Sequence, residues 1–210
     1  MIPKRLTPKT FRTALGYLSE TDKDLKTIIE SYGSPPMWIR DPGFPTLVHI
    51  ILEQQVSLAS AKAAFDKLNQ VVSELLPKEF LLLDDQELKK IGFSRQKTNY
   101  CRYLAESIDS GSLQLDKLEN KSDTEIRTEL QKIKGIGSWT ADIYLLMAMG
   151  RPDIWPQGDL ALISAISHVK KLPSKPSDDD FKNLGKAWKP WRAVAARILW
   201  HYYLSNKTAG

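Results

Sequence analysis

Two places in this sequence carry residue types able to do chemistry on a charged partner. At Lys134-Gly135-Ile136-Gly137-Ser138, two glycines flank one isoleucine where one helical stripe breaks and another, beginning at Trp139, takes over. Glycine allows backbone angles that a side chain forbids, so consecutive N–H groups can converge there on one anion at the start of the second helix. A phosphate diester suits such a cradle, and contacts of that kind ignore base sequence. A tight interhelical turn without any ligand accounts for Gly-x-Gly as well. The second place is Asp159, at the threshold of an apolar run from Leu160 through Val169. A carboxylate at a helix N-terminus has its negative charge favoured by the helix dipole and neighbouring amides. It can stabilise a developing cation or deprotonate a water, and it can equally be an ordinary N-cap.

The elements that must position these residues are helical. Apolar residues recur at helical spacing, and no run of strict alternation bounded by hairpin turns is present, so the expected fold class is all-α. Leu47, Val48, Ile51 and Leu52 predict a buried helix after Pro42-Gly43 and Pro45, ending in Glu53-Gln54-Gln55-Val56-Ser57. Leu58, Ala61, Ala64, Phe65, Leu68, Val71 and Val72 form the next, with Pro77 just beyond it. Asp84 to Glu87 opens a short helix that Gly92 closes, and Ser94 caps another striped by Tyr100, Tyr103, Leu104 and Ile108. Ser122-Asp123-Thr124-Glu125 fits a capping box, predicting a helix to about Ile133. After the hairpin, Trp139, Ile143, Leu146 and Met147 resume a stripe, and Arg151 to Gly158 reads as a loop. Pro173 to Asp180 reads as a polar linker, and Pro190 as the first residue of a final helix bearing Trp191, Val194, Ala195, Ile198, Leu199 and Tyr202.

Composition limits the possibilities further. The 210 residues, 42% hydrophobic and 26% charged, suit one compact unit or two modest lobes with a proper core. The lone Cys101 cannot form an internal disulfide, a four-thiolate zinc site or an iron–sulfur cluster, so a reducing compartment is expected. His49, His168 and His201 show no metal-ligand spacing. No apolar stretch approaches the ~18 residues that span a bilayer, and the start lacks a signal-peptide core, so no membrane partner is expected. The expected location is the cytoplasm of a prokaryote or the nucleus of a eukaryote. Thirty Lys and Arg against 25 Asp and Glu leave a net charge of +5, favouring polyanions without identifying one. Leu88 to Tyr103 concentrates the excess, with Lys89, Lys90, Arg95, Lys97 and Arg102 and no acid.

The string Leu130 to Asp142 resembles the helix-hairpin-helix motif of the DNA glycosylase superfamily, most closely its 3-methyladenine DNA glycosylase II branch, which excises alkylated bases. Ile51-Leu52-Glu53-Gln54-Gln55-Val56-Ser57, Gly92 to Lys97, Trp155-Pro156-Gln157-Gly158-Asp159 and Trp188-Lys189-Pro190-Trp191-Arg192 resemble that branch's other signature segments in the same order. The resemblance covers roughly residues 40 to 202. It implies two helical lobes with a DNA-facing cleft between them and no additional N-terminal β-domain. One lobe would combine residues 1–44 and 150–210; the other, residues 45–149, would be a helical barrel ending in the hairpin.

The resemblance also implies roles. Asp159 becomes the catalytic carboxylate, and Gly135, Ile136, Gly137, Ser138, Gln54, Gln55, Arg95 and Lys97 become DNA contacts. In strand-cutting relatives the position of Trp139 carries a lysine that forms a Schiff base with the sugar; tryptophan cannot, which implies a monofunctional enzyme. A cationic alkylated purine stacks well on an indole, and Trp139 is the first such surface, with Trp38, Tyr144 and Trp155 also in view. Core or lobe packing is the competing reading for those three. The nucleotide must rotate out of the duplex, and Gln54 and Gln55 match the segment that supplies the inserted side chain. Relatives can hold a monovalent cation, K+ or Na+, on main-chain carbonyls that would here be those of Gln131, Ile133 and Ile136; no other cofactor is expected. The implied function is hydrolysis of alkylated purines from duplex DNA by a monomer. Excision of neutral lesions such as hypoxanthine or uracil, and a non-catalytic module binding damaged DNA, are the alternatives.

Overall fold

The computed structural model describes residues 4–207, and among them every regular element is a helix or a helical turn. The chain divides into two compact units, one running continuously over Arg40–Met149, the other assembled from the chain up to Ile39 and from Gly150 onward.

The continuous unit is built on α3 (Phe44–Glu53), which packs against α4 (Leu58–Val71), α7 (Arg95–Asp109) and α9 (Ser138–Ile143). A helix surrounded on all sides must be apolar all round, and Leu47, Val48, Ile50, Ile51 and Leu52 are all buried. The short α5 (Pro77–Leu82) and α6 (Asp85–Ile91) lie along α7, and α8 (Asp123–Gln131) leads into the hairpin. The predicted starts at Asp84, Ser94 and Ser122 all carry side-chain caps, the first and third as full capping boxes, and Ser57 caps α4 in addition. Two expectations change here. α8 ends at Gln131, and the stripe after Trp139 does not continue as regular helix. It widens into one turn over Tyr144–Ala148, where the Met149 amide reaches the Tyr144 carbonyl at 3.1 Å.

The split unit comprises α1 (Pro8–Thr21), α2 (Lys23–Tyr32), α10 (Leu160–Val169), α11 (Asp178–Lys186) and α12 (Arg192–Lys207), with α12 packed on α1, α2 and α10. Asp22 closes it. Its carboxylate caps α2 through the Asp24 and Leu25 amides, and accepts from Lys170 Nζ at 2.8 Å and Trp188 Nε1 at 2.8 Å. Burial works against that charge, but the bonds from Lys170 and Trp188 hold the carboxyl below the usual carboxylate range. The Pro173–Asp180 linker is shorter than expected: Ser177 and Asp180 form a capping box that starts α11, where acidic residues favour the helix dipole. Pro190 does not open the final helix. It sits in the preceding turn after a cis peptide bond, and α12 starts at Arg192.

Trp155 anchors the core of this unit, stacked on Phe181 at 4.8 Å and tilted against Trp188 at 5.2 Å. Its indole N–H donates to the Phe181 carbonyl, so the ring cannot yield, and Gly185 packs against it; a Cβ there would lie 2.8 Å from Cδ1. Gly16, exposed within α1, has nothing within 4 Å of its would-be Cβ. Gly185→Ala is therefore expected to lower stability by about 1–3 kcal/mol and Gly16→Ala to raise it by about 1 kcal/mol, read as opposite shifts in thermal midpoint.

Candidate functional site

The hairpin in the continuous unit is held from inside. Ile133 and Ile136 are buried, with the Ile136 amide donating to the Ile133 carbonyl at 3.0 Å, so Ile136 offers a partner only its backbone. Gly135 has φ +98°, and a Cβ on it would lie 2.1 Å from Tyr100 Cγ; glycine is obligatory there on both counts. Gly137 differs from expectation. Its backbone is extended at φ −87°, ψ −176°, and a Cβ would meet nothing within 4 Å. The fold does not require glycine at 137, which is exposed beside exposed Ser138 and caps α9 with no side chain. A bare, open backbone at that point gives an external group close access to the turn.

The cations considered for this surface differ in availability. Lys132 and Lys134 in the turn are exposed, Lys134 with its ammonium 5.2 Å from the Tyr103 ring centroid, and Arg95 is exposed at the start of α7. Lys97 is not available in the same way: it donates to the Leu52 carbonyl at 2.5 Å, closing the end of α3, and burial pushes its pKa down. The two glutamines separate as well. Gln54 Nε2 donates to the Gly135 carbonyl and the Thr140 hydroxyl, both at 2.9 Å, whereas Gln55 is exposed with φ +57°, a left-handed backbone that a non-glycine residue adopts only under constraint. Trp139, in the first turn of α9, is partly exposed. Tyr144 is buried, its hydroxyl accepting from the Gly43 amide at 3.1 Å and its pKa pushed up to about 12 by burial; it is a core residue, not a stacking surface.

The carbonyls of Gln131, Ile133 and Ile136 lie on one turn. That of Ile133 accepts the Ile136 amide, while no described backbone amide bonds to the other two. Among the described residues no His, Cys, Asp or Glu group could hold a metal ion.

In the split unit, Asp159 is buried at the start of α10. Its Oδ1 accepts from the Leu162 amide at 2.9 Å and from Trp200 Nε1 at 3.1 Å. The cap was legible in the sequence; Trp200 was not, because it lies off the apolar stripe of α12, 41 residues away. The aromatic nature of a residue with an N–H donor on a buried helix was the only available signal. Trp155 belongs to the core described above and offers no open face. Trp38 is partly exposed at φ +45°, with its ring 6.4 Å from that of His201, and the buried Arg197 donates to the neighbouring Met37 carbonyl at 2.6 Å.

Residues 48–191 match the family model of the HhH-GPD superfamily base excision DNA repair proteins. Among curated proteins, YfjP of Bacillus subtilis (strain 168) is 29% identical over 194 residues, covering 89% of this chain and 67% of that protein. Among solved structures, the Schizosaccharomyces pombe 3-methyladenine DNA glycosylase Mag1 in complex with abasic DNA is 26% identical with a TM-score of 0.84, covering 90% of this chain and 95% of that one. A DNA-3-methyladenine glycosidase from Bacillus halodurans is 28% identical with a TM-score of 0.74, covering 96% and 92%.

The two hairpin glycines make opposite predictions. Gly135→Ala is expected to cost at least about 2 kcal/mol, combining left-handed strain with overpacking against Tyr100, whereas Gly137→Ala should leave stability within about 0.5 kcal/mol of the parent in urea unfolding.

Proposed function

The chain belongs to the HhH-GPD superfamily of base excision DNA repair proteins, and on that ground we propose that it is a monofunctional DNA N-glycosylase releasing alkylated purines from duplex DNA. The observation that carries this reading is the Asp159 carboxylate, buried yet fixed by the Leu162 amide and the Trp200 indole. A structural cap needs only the amide. The second donor, from another helix, sets the direction of the carboxylate, which matters when its charge must meet a developing cation.

Alkylation at N3 or N7 leaves a purine positively charged, so it departs with the electron pair of the glycosidic bond and becomes neutral without a proton from the enzyme. Positive charge then builds on the deoxyribose. At ~4 Å and an effective dielectric near 20, a carboxylate stabilises it by about 4 kcal/mol, roughly a thousandfold in rate if realised only in the transition state. Water supplies the oxygen that replaces the base, and its proton passes to Asp159 or to solvent. Trp139 has no amine for a Schiff base, so the product is an abasic site with an intact strand. Its indole, and that of Trp38, are the aromatic surfaces left for the cationic base.

Gly137, Ser138, Arg95 and Lys134 would meet the DNA backbone, and Gln55 would fill the space of the extruded nucleotide. Gln131, Ile133 and Ile136 would hold a monovalent cation on their carbonyls, which steadies the turn and adds positive potential beside phosphate. The protein would act as a monomer wherever genomic DNA lies, in a prokaryotic cytoplasm or a eukaryotic nucleus; among the described residues no helix is long and apolar enough to cross a membrane.

The test is single-turnover release of 7-methylguanine and 3-methyladenine from a defined duplex. The parent should release free base and leave a strand that breaks only on alkali treatment, with no borohydride-trapped adduct. Asp159→Asn should slow release roughly a thousandfold; near-parental release by a folded variant defeats the assigned mechanism.

A further inference from the structure

The end of α3 is clamped at three consecutive residues from three directions. The Leu52 carbonyl receives Lys97 Nζ from α7 at 2.5 Å. Glu53, nearly buried, is gripped by both terminal nitrogens of Arg40, at 2.6 and 3.2 Å. Gln54 spends both amide hydrogens on the hairpin, one on the Gly135 carbonyl and one on the Thr140 hydroxyl. The orientation of that amide is not ambiguous, because a carbonyl can only accept, so Nε2 must face Gly135. The next residue, Gln55, is the one that leaves this clamp: exposed, and turned into the left-handed region.

The acceptors of Gln54 are placed with equal economy. Gly135 carries the positive φ that shapes the turn, with the Tyr100 ring in the space of its missing Cβ. Thr140 is buried and adjoins Trp139. Gln54 therefore ties the projecting residue to the turn beside Gly137 and to the first turn of α9. A side chain held at both hydrogens cannot also enter a base stack.

We infer that Gln54 is a positioning residue that couples the phosphate-facing hairpin to the inserted side chain of Gln55, so that engagement of the backbone at Gly137 and filling of the vacated base position occur in one fixed register. This rests on the glycosylase reading and assigns Gln54 a different task from the DNA contact expected of it. The coupling is needed only where a nucleotide must be extruded from a paired stack. A single strand needs no such filling.

The experiment compares single-turnover release of 7-methylguanine from a fully paired duplex and from the same oligonucleotide as a single strand. The chains are the parent, Gln54→Met, Gln55→Ala and the double variant. Gln54→Met keeps volume and removes both donors. It is expected to lower the duplex-to-single-strand rate ratio about tenfold, and Gln55→Ala should then lower it less than twofold further, because an unregistered wedge has little left to lose. Thr140→Val, which removes one acceptor from the other side, should lower the same ratio about threefold and serves if Gln54→Met does not fold. Equal loss on both substrates, or effects of Gln54→Met and Gln55→Ala that multiply independently, would overturn the coupling. If the parent released base from neither substrate, the glycosylase reading itself would fall.

Discussion

A carboxylate taken out of water has to be held by donors that cannot drift, and Asp159 sets that requirement for the split unit. Its donors include the third amide of the helix it caps, which moves with it, and an indole on α12. The direction of the carboxylate therefore depends in part on the packing of α10 on α12. Both helices are fastened elsewhere. α10 is followed directly by Lys170, whose ammonium reaches Asp22 and Asp24 at 2.8 Å, and α12 is joined to the N-terminal stretch through Arg197 on the Met37 carbonyl and His201 on that of Tyr32. Asp22 binds three sequence regions at one carboxylate. A half-buried network of this kind loses more than one bond when broken on one side, because the remaining partners are left with less compensation.

The hairpin obeys the same logic with different chemistry. There the rigid parts are the buried Ile133 and Ile136, the Tyr100 ring and the short ion pair between Arg127 Nε and buried Asp142, which joins α8 to α9 at 2.5 Å. The exposed part is backbone, and Gly137 stays bare although nothing inside the protein demands it. A glycine imposed by the fold and a glycine left open toward a partner look identical in a Gly-x-Gly string. They are separated only by φ and by what a Cβ would touch.

That contrast shows how far the sequence could be read. Capping is local, so Asp84, Ser94, Ser122 and Asp159 were legible from the few residues after each, and the apolar run around Ile51 announced a buried helix. α11 was hidden because Pro, Ser and Asp signal loops by composition, while the cap of Ser177 acts through one specific amide. Lys97 and Gln54 matched motif positions, but their partners, Leu52 and Gly135, lie 45 and 81 residues away. Trp188 and Asp22 are 166 residues apart. No periodicity encodes such pairs, so the motif identified the residues without revealing that some support the site from within.

The same distinction changes how the positive charge is understood. Arg40, Arg102, Arg127, Lys170 and Arg192 each pair with an acid, Lys97 and Arg197 are committed to carbonyls, and none of these is chiefly a phosphate ligand. Arg95 and Lys134, by contrast, are exposed. On the proposed glycosylase reading, discrimination would fall to the groups that respond to a positively charged base and an electron-poor sugar, an aromatic face and a fixed carboxylate, neither of which gains much from an ordinary neutral nucleoside.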